Sequence, residues 1–257
     1  MKRLSALCAL IVLFSTHAHA VVTLAGTRLI FDGRFREASI ELSNPDTAQV
    51  LIQAWLTPGK SSDSQVGGPS ADLPFVVTPH LATLSAQGKQ KLRVLYEGVG
   101  MPLDRESLLH LYVLQVPRKS DARQQLSIAV RQRINVFYRP AHLQGDPADA
   151  AQTLIWQRKA GTRPRLAVRN PTPYHVSLQD VVIGEVPVSD HVLIEPFSEL
   201  SLALPGDALA SETNQPLQFK ALTDYGGQRD FCAHVQVGQP SSARLRTADA
   251  YPFIGKC

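Results

Sequence analysis

Cysteine is scarce: 257 residues hold three, at positions 8, 232 and 257. Glycine, 16 in all, follows no short repeat, which excludes a collagen-like chain, and the 44% hydrophobic content excludes a disordered one. Charge of one sign is also lacking. The formal net charge is +4, and two of the cations, Lys2 and Arg3, belong to a segment expected to be removed, leaving +2. That is too little for a surface that binds nucleic acid through its phosphates. Long apolar runs are absent after residue 20, so no membrane-inserted segment is expected.

The motifs of catalysis are missing too. Gly59-Lys60-Ser61 imitates the end of a phosphate loop, but Ala54 stands where its first glycine is required. Gly98-Val99-Gly100 runs on to Leu103 in place of a third glycine, and no serine sits in a Gly-x-Ser-x-Gly elbow. His80, His110, His142, His175, His191 and His234 share no metal-binding spacing. An enzyme is not expected, nor a cofactor or a metal.

What is present begins with an export signal. Lys2-Arg3, the apolar run Leu4–Phe14 and Ala18-His19-Ala20 supply a positive start, a hydrophobic stretch and a small-residue cleavage site. The run is eleven residues long, about half of what a bilayer needs. Residues 1–20 are read as a signal peptide, cleaved near Ala20, and the mature chain as exported. Cys8 leaves with it. Cys232 and Cys257 can then close one disulfide or stay as free thiols.

From Val21 onward no window of a dozen residues has helical periodicity. Short apolar or alternating runs, separated by turn residues, predict strands throughout. In the first half they are Val22–Phe31, Arg36–Leu42, Val50–Leu56, Phe75–Thr78, Lys91–Leu95, Leu108–Val116 and Leu126–Tyr138. Seven strands in about 120 residues suit an immunoglobulin-like sandwich. Arg139-Pro140 stops the last one, since proline cannot donate to a ladder. A second series follows at Arg165–Arg169, Val176–Val182, His191–Ile194, Leu200–Leu204, Leu217–Thr223 and Phe231–Val237. The expected architecture is all-β, two sandwiches, residues 21–142 and 143–257.

The run Leu126–Tyr138 stands out. It is thirteen residues long, against about 5–6 for an ordinary strand. Leu126, Ile128, Val130, Ile134 and Val136 share one face. Periodicity leaves two readings: a long core strand, or one whose early part projects as an apolar row for another chain's strand.

Several short motifs, in order, resemble the PapD-type periplasmic chaperones of pilus assembly. They are Thr27-Arg28 with Phe31-Asp32-Gly33, Gln53-Ala54-Trp55, Thr78-Pro79, Asp104-Arg105-Glu106-Ser107-Leu108, Phe137-Tyr138-Arg139-Pro140, Asn170-Pro171-Thr172-Pro173-Tyr174 and Asp224-Tyr225-Gly226-Gly227. The resemblance implies two immunoglobulin-like domains in a boomerang with a cleft between them. It implies that Leu126, Ile128 and Val130 complete the unfinished sandwich of a pilus subunit, and that an outer-membrane usher receives the subunit. It makes Arg28 one of two cations that anchor the subunit's C-terminal carboxylate. The other, a lysine in the family pattern, is Asn135 here; either Arg133, two residues back on the same face, substitutes for it, or Arg28 works with Asn135 and Arg133 is simply exposed. Glu106, Arg139 and Asp224 match a charge network joining the domains. The loop from Pro117 to Gln125, short and without cysteine, matches members that serve rod-like pili. Self-dimerisation of the free protein is a further expectation. A secreted adhesive or carbohydrate-binding sandwich is the alternative reading.

Overall fold

The computed structural model describes residues 21–60, 73–118, 127–161, 163–204 and 214–246. They form two β-sandwiches. The first is built from β1 (Thr23–Leu24), β2 (Arg28–Asp32), β3 (Glu37–Ser43), β4 (Val50–Pro58), β5 (Phe75–Thr78), β6 (Leu81–Leu84), β7 (Lys89–Tyr96), β8 (Ser107–Pro117) and β9 (Val130–Arg139). Its sheets run β1-β3-β7-β5 and β2-β9-β8-β4-β6. Alternation along these strands sends Phe31, Ile52, Leu92, Leu109, Leu111 and Val136 into one core.

The second sandwich comprises β10 (Ile155–Lys159), β11 (Arg165–Arg169), β12 (Val176–Ile183), β13 (Val186–Ile194), β14 (Glu199–Ala203), β15 (Gln215–Leu222), β16 (Gln228–Val235), β17 (Ser241–Ser242) and β18 (Arg244–Leu245). Its sheets run β14-β11-β10-β17 and β13-β12-β15-β16-β18 around Trp156, Leu166, Phe219 and Phe231. A 3-10 turn, Pro147–Asp149, lies between the sandwiches; Asp146 caps it by accepting from the Ala148 amide at 2.8 Å.

Three strand expectations need correction. Val22–Phe31 is not one strand: β1 pairs with β3 in one sheet, and β2 pairs in parallel with β9 in the other. The long last strand starts at Val130 rather than Leu126. Its partner β8 ends at Pro117, and the register Gln115 to Val130 leaves little backbone beyond to pair with. β6, β10 and the two-residue strands β17 and β18 are additional to those expected.

Two buried asparagines organise corners of the sandwiches. Asn170 is wholly buried; its side-chain amide donates to the carbonyls of Tyr174 and Glu195 at 2.7 and 3.0 Å, and its oxygen accepts from the Thr172 amide at 3.0 Å. Asn44 does the same in the first sandwich, donating to Ala48 and Ser85 and accepting from Asp46. Each asparagine satisfies the backbone of a corner that would otherwise be buried unpaired. Cys232 is buried and disulfide-bonded. The other two cysteines lie outside the described residues.

Candidate functional site

Strand β9 changes character along its length. Ile134, Val136 and Tyr138 point into the first core. Gln132, next on that face, instead donates to the Val22 carbonyl at 2.6 Å, while the Val22 amide donates to the Gln115 side chain at 2.8 Å. This polar tie closes the sandwich. Beyond it Val130 is half-buried and Ile128 is 64% exposed, so these apolar side chains lie outside their own core. The edge of β9 matters equally. β2 registers only against Asn135 to Arg139, and among the described residues no strand is registered against that edge ahead of Asn135. Apolar side chains beside an open strand edge make a template for a foreign strand. Leu126 lies outside the described residues, as does most of the Pro117–Gln125 loop.

The other end of β9 reaches the second sandwich. Arg139 donates from Nε to Glu106 Oε1 at 2.7 Å, and from its two terminal nitrogens to Asp224 at 2.8 and 3.1 Å. Burial works to lower the Arg139 pKa, but the hydrogen bonds to Asp224 and the charges of Glu106 and Asp224 outweigh it and raise it. Glu106 is buried, and its second oxygen accepts the His175 amide at 2.7 Å. Two glycines permit this junction. Gly33 donates to the Arg139 carbonyl at 2.7 Å, and a Cβ there would sit 2.8 Å from that oxygen. Gly226, at φ +80°, turns the β15–β16 hairpin that carries Asp224 and brings it close to Thr27. The three charges that the sequence reading grouped are therefore in direct contact.

Between the sandwiches lies a cavity of about 510 Å³, with Arg28, Phe137, Arg139, His175, Asp224 and Tyr225 among its lining. The Arg28 guanidinium lies over the Phe137 ring, 5.6 Å from its centroid. Its Nε is buried with no acceptor among the described residues. Burial lowers the Arg28 pKa, and the negative charges of Asp224 and Glu106 offset only part of that. A desolvated cation with an unused donor, facing a cavity, is suited to hold a carboxylate. Arg28 registers beside Asn135, and Arg133 is exposed two positions back on the same face. Neither Asn135 nor Arg133 lines the cavity.

The comparisons fit this geometry. Residues 21–144 match the family described as pili and flagellar-assembly chaperone, PapD N-terminal domain, and residues 149–233 match the pili assembly chaperone PapD, C-terminal domain. The chain belongs to the PapD family of pilus-assembly chaperones. The chaperone protein FimB/FhaD of Bordetella pertussis is 33% identical over 85% of this chain and 89% of its own length. The crystal structure of the YadV chaperone superposes with a TM-score of 0.69 at 30% identity, covering 83% of this chain and 98% of that one. A chain of the Salmonella enterica SafA pilin–SafB chaperone complex gives 0.69 at 26% identity, covering 90% and 99%.

A PapD-family chain is a chaperone and not an enzyme. The family's fimbrial chaperones are periplasmic, and no helix among the described residues is long and apolar enough to cross a membrane. Sequence reasoning missed Phe137, His175 and Arg229 as members of this PapD cleft. The signal for Phe137 was available: an otherwise polar face, Arg131, Arg133, Asn135, turns aromatic there. His175 and Arg229 carry no such local mark.

Proposed function

We propose that the chain binds pilus subunits in the periplasm by lending β9, with Leu126, Ile128 and Val130 filling the apolar groove of an incomplete subunit sandwich. The observation that carries this reading is the exposed Ile128 beside the open edge of β9. A groove left empty would combine unpaired backbone with apolar surface and drive aggregation. Each buried apolar side chain contributes about 1.5–3 kcal/mol before ordering losses. The usher then takes the subunit by exchanging one strand for another. Free copies pair through the same edge, and the mature chain begins after Ala20, with units 21–142 and 143–257. Co-expression with a candidate subunit tests the reading: a soluble one-to-one complex supports it, and a subunit that stays insoluble counts against it.

The subunit's C-terminal carboxylate is held at Arg28, with Asn135 alongside and Arg133 as the expected second cation. Support comes from the unsatisfied, desolvated Arg28 donor. Loss of one charge-assisted hydrogen bond of about 1.5–3 kcal/mol weakens binding roughly ten- to hundredfold. Arg28→Ala is therefore expected to reduce subunit affinity by that factor in a titration, and an unchanged dissociation constant would remove the anchor from the reading.

The disulfide of Cys232 is proposed to close onto Cys257, since Cys8 departs with the signal. The mature protein then has no thiol that reacts under denaturing, non-reducing conditions, and Cys257→Ser exposes one. Two reactive thiols in the wild type would contradict the pairing.

A further inference from the structure

One cation of the second sandwich faces the same cavity as Arg28. Arg229 stands on β16 opposite Ala221 and on the same face as the core residue Phe231, so its side chain rises from the cavity's apolar wall. Its only side-chain hydrogen bond among the described residues is a long one, from Nη1 to the Ala148 carbonyl at 3.3 Å, and no carboxylate of those residues pairs with it. A guanidinium has five N–H donors, so most of Arg229's capacity is unspent. The other charges around the cavity are committed: Glu106 and Asp224 hold Arg139, and Asp146 caps the turn at Ala148. An anion entering beside Arg28 thus meets one further cation that is not already neutralised. Asn135 brings no charge and lies outside the cavity lining, as does Arg133.

We infer that Arg229 supplies the second cation of the carboxylate site, reaching across the cavity towards Arg28 and standing in for the lysine that Asn135 replaces. This rests on the reading that Arg28 receives a C-terminal carboxylate. The site takes the free α-carboxylate of an extended peptide, gripped from both sandwiches rather than from β2 and β9 alone. Two guanidinium groups on opposite walls can each bond one carboxylate oxygen, and the grip then depends on the angle between the domains.

The test uses the mature protein and a synthetic strand peptide of alternating valine and threonine, made as the free acid and as the C-terminal amide. The wild type is expected to prefer the acid by about tenfold or more. Arg229→Gln keeps a donor for the Ala148 carbonyl and removes the charge. It is expected to cut the acid affinity by about five- to tenfold while leaving the amide affinity in place, and Arg229→Lys is expected to restore most of the preference. A structural role would lower both peptides together. If Arg28→Ala erases the acid preference and Arg229→Gln does not, the inference fails and the anchor reading stands. If Arg133→Ala erases it in place of Arg229→Gln, the second cation is on β9 and the inference fails. If the wild type or Arg28→Ala treats acid and amide as before, with no preference or an undiminished one respectively, the anchor reading itself falls.

Discussion

Ile128→Asp is expected to abolish the soluble subunit complex while leaving the chaperone's own stability nearly untouched. Ile128 is 64% exposed and precedes the first ladder residue of β9, so its own sandwich loses little when it changes. Surface substitutions of this kind stay within about 0.5 kcal/mol, which moves a melting midpoint by roughly 1–2 °C in a chain of this size. In the complex proposed above the same side chain enters an apolar groove. Losing its burial forfeits about 1.5–3 kcal/mol, and an aspartate there must be desolvated without a partner at a further cost of several kcal/mol. Together these weaken binding by at least about a thousandfold. Ile128→Val, one methylene shorter, costs about 0.8 kcal/mol, or roughly fourfold. Val130 is a poorer probe because it is already half-buried in the free protein. Titration of a purified subunit, with the melting curve of each variant as control, checks the series. An aspartate variant that binds within tenfold of wild type would mean that Ile128 is a loop residue and that the donor ribbon lies elsewhere.

Strands such as β3 and β7 were legible because one face is buried and the other is wet, which writes a period of two into the sequence. Phe75–Thr78 came out with its observed bounds by that alternation, and Arg165–Arg169, in the second sandwich, as a short apolar run between charged ends. The pattern failed where its premise failed. Val22, Leu29 and Phe31 are all buried, so the stretch reads as one run, although the chain changes sheet between Leu24 and Arg28. β10 hides because Arg158, a buried charge, shares a face with Trp156 and breaks the apolar rhythm. β6 is a short edge strand with three of its four residues not buried. The exposed row and the core strand were indistinguishable by alternation: Gln132 marks the boundary between them, yet a single polar residue in a strand has many causes. The charge network was out of reach of any local rule. Arg139 lies 33 residues from Glu106 and 85 from Asp224, and only the family resemblance joined them. Arg229 was invisible for the same reason, since the cavity it lines is shared with residues of the other sandwich such as Arg28.

Arg139→Ala is expected to be the most destabilising single change at the cleft. It strands Glu106, whose side chain is 2% exposed and which is left, among the described residues, with only His175 as a side-chain hydrogen-bond partner. Removing one partner of a buried set costs about 3–5 kcal/mol, because the remaining charge keeps its desolvation penalty and loses its compensation. For a chain of this size that is a fall in melting midpoint on the order of 10 °C. Asp224→Ala should cost clearly less: its side chain is 32% exposed, so water takes over part of the role that Arg139 plays. The order of the two is the informative result: Arg139→Ala removes all three bonds of the network and strands a buried carboxylate, whereas Asp224→Ala removes two at a partly exposed one. Arg139→Met combined with Glu106→Gln should recover more than half of the loss, as both ends of the pair become neutral together. Small-angle scattering of Arg139→Ala should also report a wider spread of inter-domain angles, because the network and the Glu106 amide bond to the Pro173 carbonyl at 2.9 Å tie the sandwiches at one place. A variant with an unchanged midpoint and an unchanged scattering curve would mean that the guanidinium is a passenger and that packing of Phe137 against His175 holds the angle.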